Sequence, residues 1–205
     1  MNSLRAELLG ETGTVIPPYR MLIPAGWEAH DLSAATEGDL LGRADARLRS
    51  VGNTALGPLL RDQVRDVFTQ LRARGGFAYA FPGEASPTWA IGAASLVGTK
   101  RTATPELTLD QIVQYAIVNH AAEPIGDDHR VVRWTERKRV AVDGEDATTL
   151  LITYLIPIPG SRRTEAVQWT VTVAHDADMP DDHPSLIAWR TLFDVHVASF
   201  AWLEQ

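Results

Sequence analysis

Two histidines and four aspartates fall within nine residues at His175-Asp176-Ala177-Asp178-Met179-Pro180-Asp181-Asp182-His183. Imidazole nitrogen suits zinc or manganese, and carboxylate oxygens add charge to such a site. His175, Asp176, Asp178 and His183 are therefore the candidate ligands of a divalent metal, and the candidate centre of a metal-dependent or small-molecule-handling enzyme. Their spacing matches no established metal motif, and Pro180 limits how the side chains converge. The simpler reading is an acidic turn between a strand and a helix. In that reading Asp181 and Asp182 favour the positive N-terminal end of the helix, with Asp182 as its cap.

Other polar clusters point to less chemistry. Gly126-Asp127-Asp128-His129 is a second acidic patch whose residue types suit a turn. A nucleophilic mechanism needs Ser or Thr beside an oriented base, yet no Gly-x-Ser-x-Gly elbow exists, and Ala93-Ala94-Ser95-Leu96 is a poor substitute. His120 is expected near a helix end and His196 in or beside the core. Glu145 and Asp146 are expected in solvent at a hairpin turn. Gly92 and Gly98 lack the Gly-Lys-Ser/Thr that completes a phosphate loop. The chain has no cysteine, which removes disulfides, thiol catalysis, iron–sulfur clusters and cysteine zinc sites together. No residue is assigned a catalytic role, and no cofactor is expected.

Trp134-Thr135-Glu136-Arg137-Lys138-Arg139 is the one dense basic run, headed by an aromatic. Exposed tryptophans often mark partner surfaces, so Trp89, Trp134, Arg137 and Arg139 are the candidate contact residues, although a core position is the favoured reading for each tryptophan. Trp27, Trp169 and Trp189 fit core positions by periodicity. The formal charge of −7 argues against a general nucleic-acid or anionic-membrane binder, since both need a basic surface. No apolar run approaches the roughly 18 residues of a membrane span. The first ten residues lack the basic and apolar regions of a signal peptide. The expected compartment is the cytoplasm.

The elements that must position these residues follow from pattern. A strand over 19–27 breaks at Pro24 and Gly26 and resumes towards Leu32. Leu40, Leu41, Ala44, Leu48 and Val51 recur at helical spacing from about Glu37. A second helix follows Pro58, carries Leu60, Val64, Val67, Phe68 and Leu71, and ends at Gly75-Gly76. Residues 77–81 and 89–96 read as strands, the latter so rich in Gly and Ala that it should lie against something bulky. Thr108 and Gln111 open a helix with a capping box. Residues 130–142 and 147–158 flank Asp143-Gly144, a strong hairpin signal, and 167–173 completes a three-strand antiparallel meander. A last helix opens at Asp182 and Pro184, with Leu186, Trp189, Phe193, Val197 and Phe200 on one face.

This order of elements resembles the α/β/α sandwich of the PsbP and Mog superfamily. The resemblance rests on Ile23-Pro24-Ala25-Gly26-Trp27, the meander, and the closing Phe193-Asp194-Val195-His196-Val197-Ala198-Ser199-Phe200. It is similar also to uncharacterised relatives in high-GC bacteria, some placed beside type VII secretion genes. The resemblance implies an α/β (α+β) fold with a mainly antiparallel curved sheet. It divides the chain into a lead-in over 1–18 and a single domain over 19–205, with a helical pair inserted at 37–75. It implies a non-catalytic protein-binding or assembly factor, accessory to type VII secretion, with a protein partner and no nucleic acid. Homo-oligomerisation through the insertion is a further expectation. The lipid-bearing cysteine of lipoprotein relatives is absent, so their anchoring does not carry over.

Overall fold

The computed structural model describes residues 16–87, 94–126, 130–142 and 145–203. Its centre is a seven-stranded sheet in the order β2-β3-β4-β8-β7-β6-β5, every neighbouring pair antiparallel. The strands are β2 (Trp27–Asp31), β3 (Gly76–Pro82), β4 (Ala94–Thr102), β5 (Glu123–Ile125), β6 (Val131–Val142), β7 (Glu145–Pro157) and β8 (Glu165–His175). A separate two-stranded ribbon joins β1 (Tyr19–Arg20) to β9 (Ala201–Trp202), near the two ends of the chain. The expected meander is present as β6-β7-β8, with Val142 opposite Glu145. Asp143 and Gly144 themselves lie outside the described residues.

Side chains alternate across a strand, so each residue of the meander belongs to one of two layers. On one face Leu150, Ile152, Tyr154 and Ile156 of β7 stand beside Val173, Val171, Trp169 and Val167 of β8. All eight are buried, and the last helix, α4 (Pro184–Ala198), covers them with Leu186, Trp189, Phe193 and Val197. On the other face Val132, Trp134, Leu155 and Ala166 meet Leu109, Ile112 and Ala116 of α3 (Leu109–His120). The result is an α/β/α sandwich with unequal layers. The rest of the second face, around Tyr79, Val97, Leu151 and Thr170, is only half-buried.

Gly26 and Gly98 are among the glycines that allow close approach where a Cβ has no room. Gly26 has φ +80° in the turn before β2, and a Cβ there would stand 2.6 Å from the Ala85 backbone. At Gly98 a Cβ would meet the Phe77 and Trp169 rings at 2.8 Å. The strand is displaced from the expected span of 89–96, beginning at Ala94 and running on to Thr102. The reason is its register with β8, which continues from Ala94 opposite Val173 to Thr102 opposite Glu165. Residues 88–93, including Trp89 and Gly92, lie outside the described residues.

The helical pair between β2 and β3 is α1 (Ala34–Ser50) and α2 (Gly57–Ala73), joined by a short 3-10 turn. The first helix starts three residues before Glu37 because Ser33 caps it, its hydroxyl accepting from the Thr36 amide at 3.1 Å. No residue of α1 is buried. It is held to its surroundings largely by charge: Arg43 to Glu28 at 2.6 Å, Arg47 to Glu84 at 2.6 Å, and Asp45 to Arg61 of α2 at 2.9 Å. Among the described residues no helix is long and apolar enough to cross a membrane.

Candidate functional site

The acidic loop is folded onto the meander by one arginine. Arg137 of β6 donates from Nη2 to the Met179 carbonyl at 2.6 Å and pairs through Nε with Asp181 at 2.5 Å. Within the loop, His175 Nδ1 lies 2.8 Å from the Asp176 carbonyl oxygen. His183 caps α4, its Nδ1 accepting from the Ser185 amide at 3.2 Å, with Pro184 at the first helical position. The expected cap was Asp182; the correction follows from Pro184, which starts the helix one residue after His183. Asp176 and Asp178 are exposed. Among the described residues no three His, Asp or Glu side chains are placed to share one metal ion. Asp127, Asp128 and His129 lie outside them.

The basic run divides the same way. Trp134 is not a surface residue: it is 6% exposed, packs under α3, and donates from its indole N–H to Glu136 at 3.0 Å. Arg137 is committed to the loop. Arg139 is exposed, and Trp89 lies outside the described residues. Of the three described candidates, Trp134 is buried, Arg137 holds the loop, and Arg139 is exposed.

What the structure does assemble is a polar network beneath α4. The Tyr154 hydroxyl, on a residue with no exposure, donates to Asp194 at 2.8 Å. Arg133, opposite Tyr154 on β6, brings its Nε to 3.5 Å from Asp194 and pairs with Glu123 through Nη2. Burial, and then the Asp194 charge, hold the Tyr154 phenol far above its ordinary range, so it remains a donor at any physiological pH. This is a clamp between helix and sheet.

The consequence for α4 is unusual. Its ionisable residues, Arg190, Asp194 and His196, are all partly buried, and Asp194 is turned to the sheet. Burial lowers the His196 imidazole below its usual range, against a smaller opposing effect of the Leu22 backbone. The exposed positions are Pro184, Ser185, Ile187, Ala188, Thr191, Val195 and Ala198, none of them charged. Ile187 is 39% exposed and Val195 65%. At 3.6 residues per turn, 187, 191, 195 and 198 align as one stripe along the helix. Sequence reasoning missed this surface because it read only the face carrying Leu186, Trp189, Phe193, Val197 and Phe200.

On the other described helices the exposed apolar residues stand among polar ones: Tyr115, Ile117 and Val118 on α3 with Gln111, Gln114 and Asn119, and Leu59 and Val67 on α2 with Asp62, Arg65 and Asp66. The half-buried part of the sheet carries the ring series His30, Phe81 and Tyr79, with centroids 5.4 and 5.3 Å apart, beside Thr170 and Thr172. An antiparallel sheet commonly leaves one such mixed face to water.

No protein-family model matches the chain, and no curated protein matches it in sequence. Among solved structures it is similar to the Saccharomyces cerevisiae Ran-binding protein Mog1p, at 11% identity and a TM-score of 0.47, over 91% of this chain and 90% of that one. A mutant of protein Mog1 is similar at 12% identity and a TM-score of 0.42, over 62% of this chain and 80% of that one. These are coarse likenesses at low identity.

Proposed function

We propose that this protein is a non-catalytic binding factor that presents the outer face of α4 to a protein partner. The observation that carries the reading is the inverted charge pattern of α4. Its carboxylate is spent on the clamp to Tyr154 and Arg133, while Ile187, Ala188, Thr191 and Val195 face solvent with no charge among them. A contiguous apolar surface of this kind marks an interaction site more often than scattered exposed residues do. Binding there would bury apolar area on a rigid helix already fixed by four core residues, so little ordering cost would oppose association.

The test is a double variant, Ile187→Asp with Val195→Asp, in the tagged full chain expressed in its own cells. Val195 is the more exposed of the two, so Ile187→Asp carries the larger stability cost, and an unfolding midpoint measured on the variant shows that it remains folded. The expected result is loss of a stoichiometric co-purifying protein that the unaltered chain retains. Retention of that protein by the variant would overturn the reading. Light scattering on the isolated chain resolves one special case: a doubled mass abolished by the same variant makes the partner a second copy.

A further inference from the structure

The outer face of α4 has a shape as well as an apolar character. A shallow groove of about 640 Å³ runs along it, lined by Pro184, Ile187, Ala188, Thr191, Leu192 and Val195. A helix receives a side chain of a second helix in a hole made by four of its own residues, at i, i+3, i+4 and i+7. Pro184, Ile187, Ala188 and Thr191 make one such hole, and Ala188, Thr191, Leu192 and Val195 make the next. Both holes use Ala188 and Thr191, small residues that form a low floor between Ile187 and Val195. The acidic loop leads directly into this groove, since Pro184 follows His183. Asp176, Asp178 and Asp182 are exposed, and no ion pair holds them among the described residues, whereas Asp181 is held by Arg137. Loop and groove meet at Ile187, which lines a smaller cavity of about 270 Å³ together with Asp181.

We infer that the occupant of this groove is an α-helix of the partner, antiparallel to α4 and basic in its last turn; the inference rests on the proposed role of α4. The two holes are four residues apart, about 6 Å along the axis, which matches apolar side chains at i and i+4 of a second helix. Direction follows from charge. An antiparallel helix sets the negative end of its dipole beside the positive end of α4. Its last turn, where lysine and arginine are favoured, then lies over Asp176, Asp178 and Asp182. A parallel helix would bring its first turn there, where acidic residues are favoured and the loop would repel them. A second copy of α4 does not fit this description, because its last turn carries no exposed basic residue and His196 is half-buried. The groove supplies the contact area, and the carboxylates choose the direction.

The probe is a stapled, end-capped helical peptide of about 18 residues, with leucines at i and i+4 and lysines in its last turn. Its control has the same composition with the lysines in the first turn. Each peptide carries a fluorophore and is titrated with the full chain, with anisotropy as the readout. The last-turn peptide should bind about tenfold tighter at low salt, the scale of a few exposed ion contacts, and the margin should shrink at about 0.5 M salt. Asp176→Asn, Asp178→Asn and Asp182→Asn together should remove the margin and leave the control's affinity within about twofold. Asp181 is kept so that the loop stays on Arg137. Ile187→Asp with Val195→Asp should abolish binding of both peptides. Equal affinity of the two peptides, or a margin that survives the three asparagines, would overturn the basic last turn and leave α4 as a contact surface. Saturable binding of neither peptide, or binding that survives Ile187→Asp with Val195→Asp, would overturn the helix as occupant. The role of α4 itself fails separately, through retention of the co-purifying protein by that same double variant.

Discussion

Helices α1 and α4 have similar lengths and opposite designs. The first buries no residue and keeps its place through Arg43–Glu28, Arg47–Glu84 and Asp45–Arg61, leaving a polar outer face. The second buries Leu186, Trp189, Phe193 and Val197, turns Asp194 inward, and leaves an apolar outer face. Exposed ion pairs are worth little each, about 0–1 kcal/mol, so α1 is a loosely held cover. Burial of large side chains holds α4 far more firmly. A helix so well anchored has no structural need of an apolar exterior, and that is why the exterior of α4 is read as a binding surface.

The comparison breaks first at Phe193. It has no exposure and stacks near Trp189 at 5.9 Å and edge-on to Trp27 at 5.2 Å. Phe193→Ala should cost about 3–5 kcal/mol in urea unfolding, the range for aromatic truncation in a core. Leu48→Ala on α1, a half-buried position, should cost under about 1.5 kcal/mol. Similar losses at both positions would erase the contrast between the helices.

A smaller effect is expected at the clamp. Tyr154→Phe removes one hydrogen bond to a carboxylate and should cost about 1.5–3 kcal/mol. Arg133 still faces Asp194, so the helix should stay docked, with its amide exchange faster but its fold intact.

His196 sharpens the contrast through pH. Burial lowers its folded pKa below the unfolded value, so the unfolded chain binds the extra proton more readily. The stability it permits is complete at neutral pH and declines as pH falls through the unfolded value, near 6.5, towards the folded one. His196→Gln should remove this component. The difference in unfolding free energy between the two proteins should therefore change between pH 7 and 5, with the parent losing more. A constant difference would refute the assignment.

Least of all should be lost at the acidic loop. Asp181 is 86% exposed, so Arg137→Ala should cost about 1 kcal/mol or less. Its signature is local: proteolytic cleavage within 176–182 should rise while the midpoint of global unfolding hardly moves.

The sequence carried the parts of this architecture that are local. Thr108 and Gln111 make the capping box their spacing announces. Val167, Trp169, Val171 and Val173 alternate as a strand with one buried face must. What stayed hidden depends on contacts between distant segments. A core position was the favoured reading of Trp134, but nothing in the run itself says that α3 is what covers it. Arg137 reads as a free surface cation until the loop 42 residues later folds onto it. In α4 the core face was legible, but an apolar residue on the far side has the same letter as one in the core.

The most direct test of the binding surface places a photo-activated crosslinking residue at Thr191 on α4, and separately at Thr69 on α2, both exposed. Each full-length chain is irradiated in its own cells. A single dominant protein adduct at Thr191, absent at Thr69, is the predicted result. Equal adduct patterns at the two positions, or none at Thr191, would contradict the claim that α4 is where this protein meets its partner.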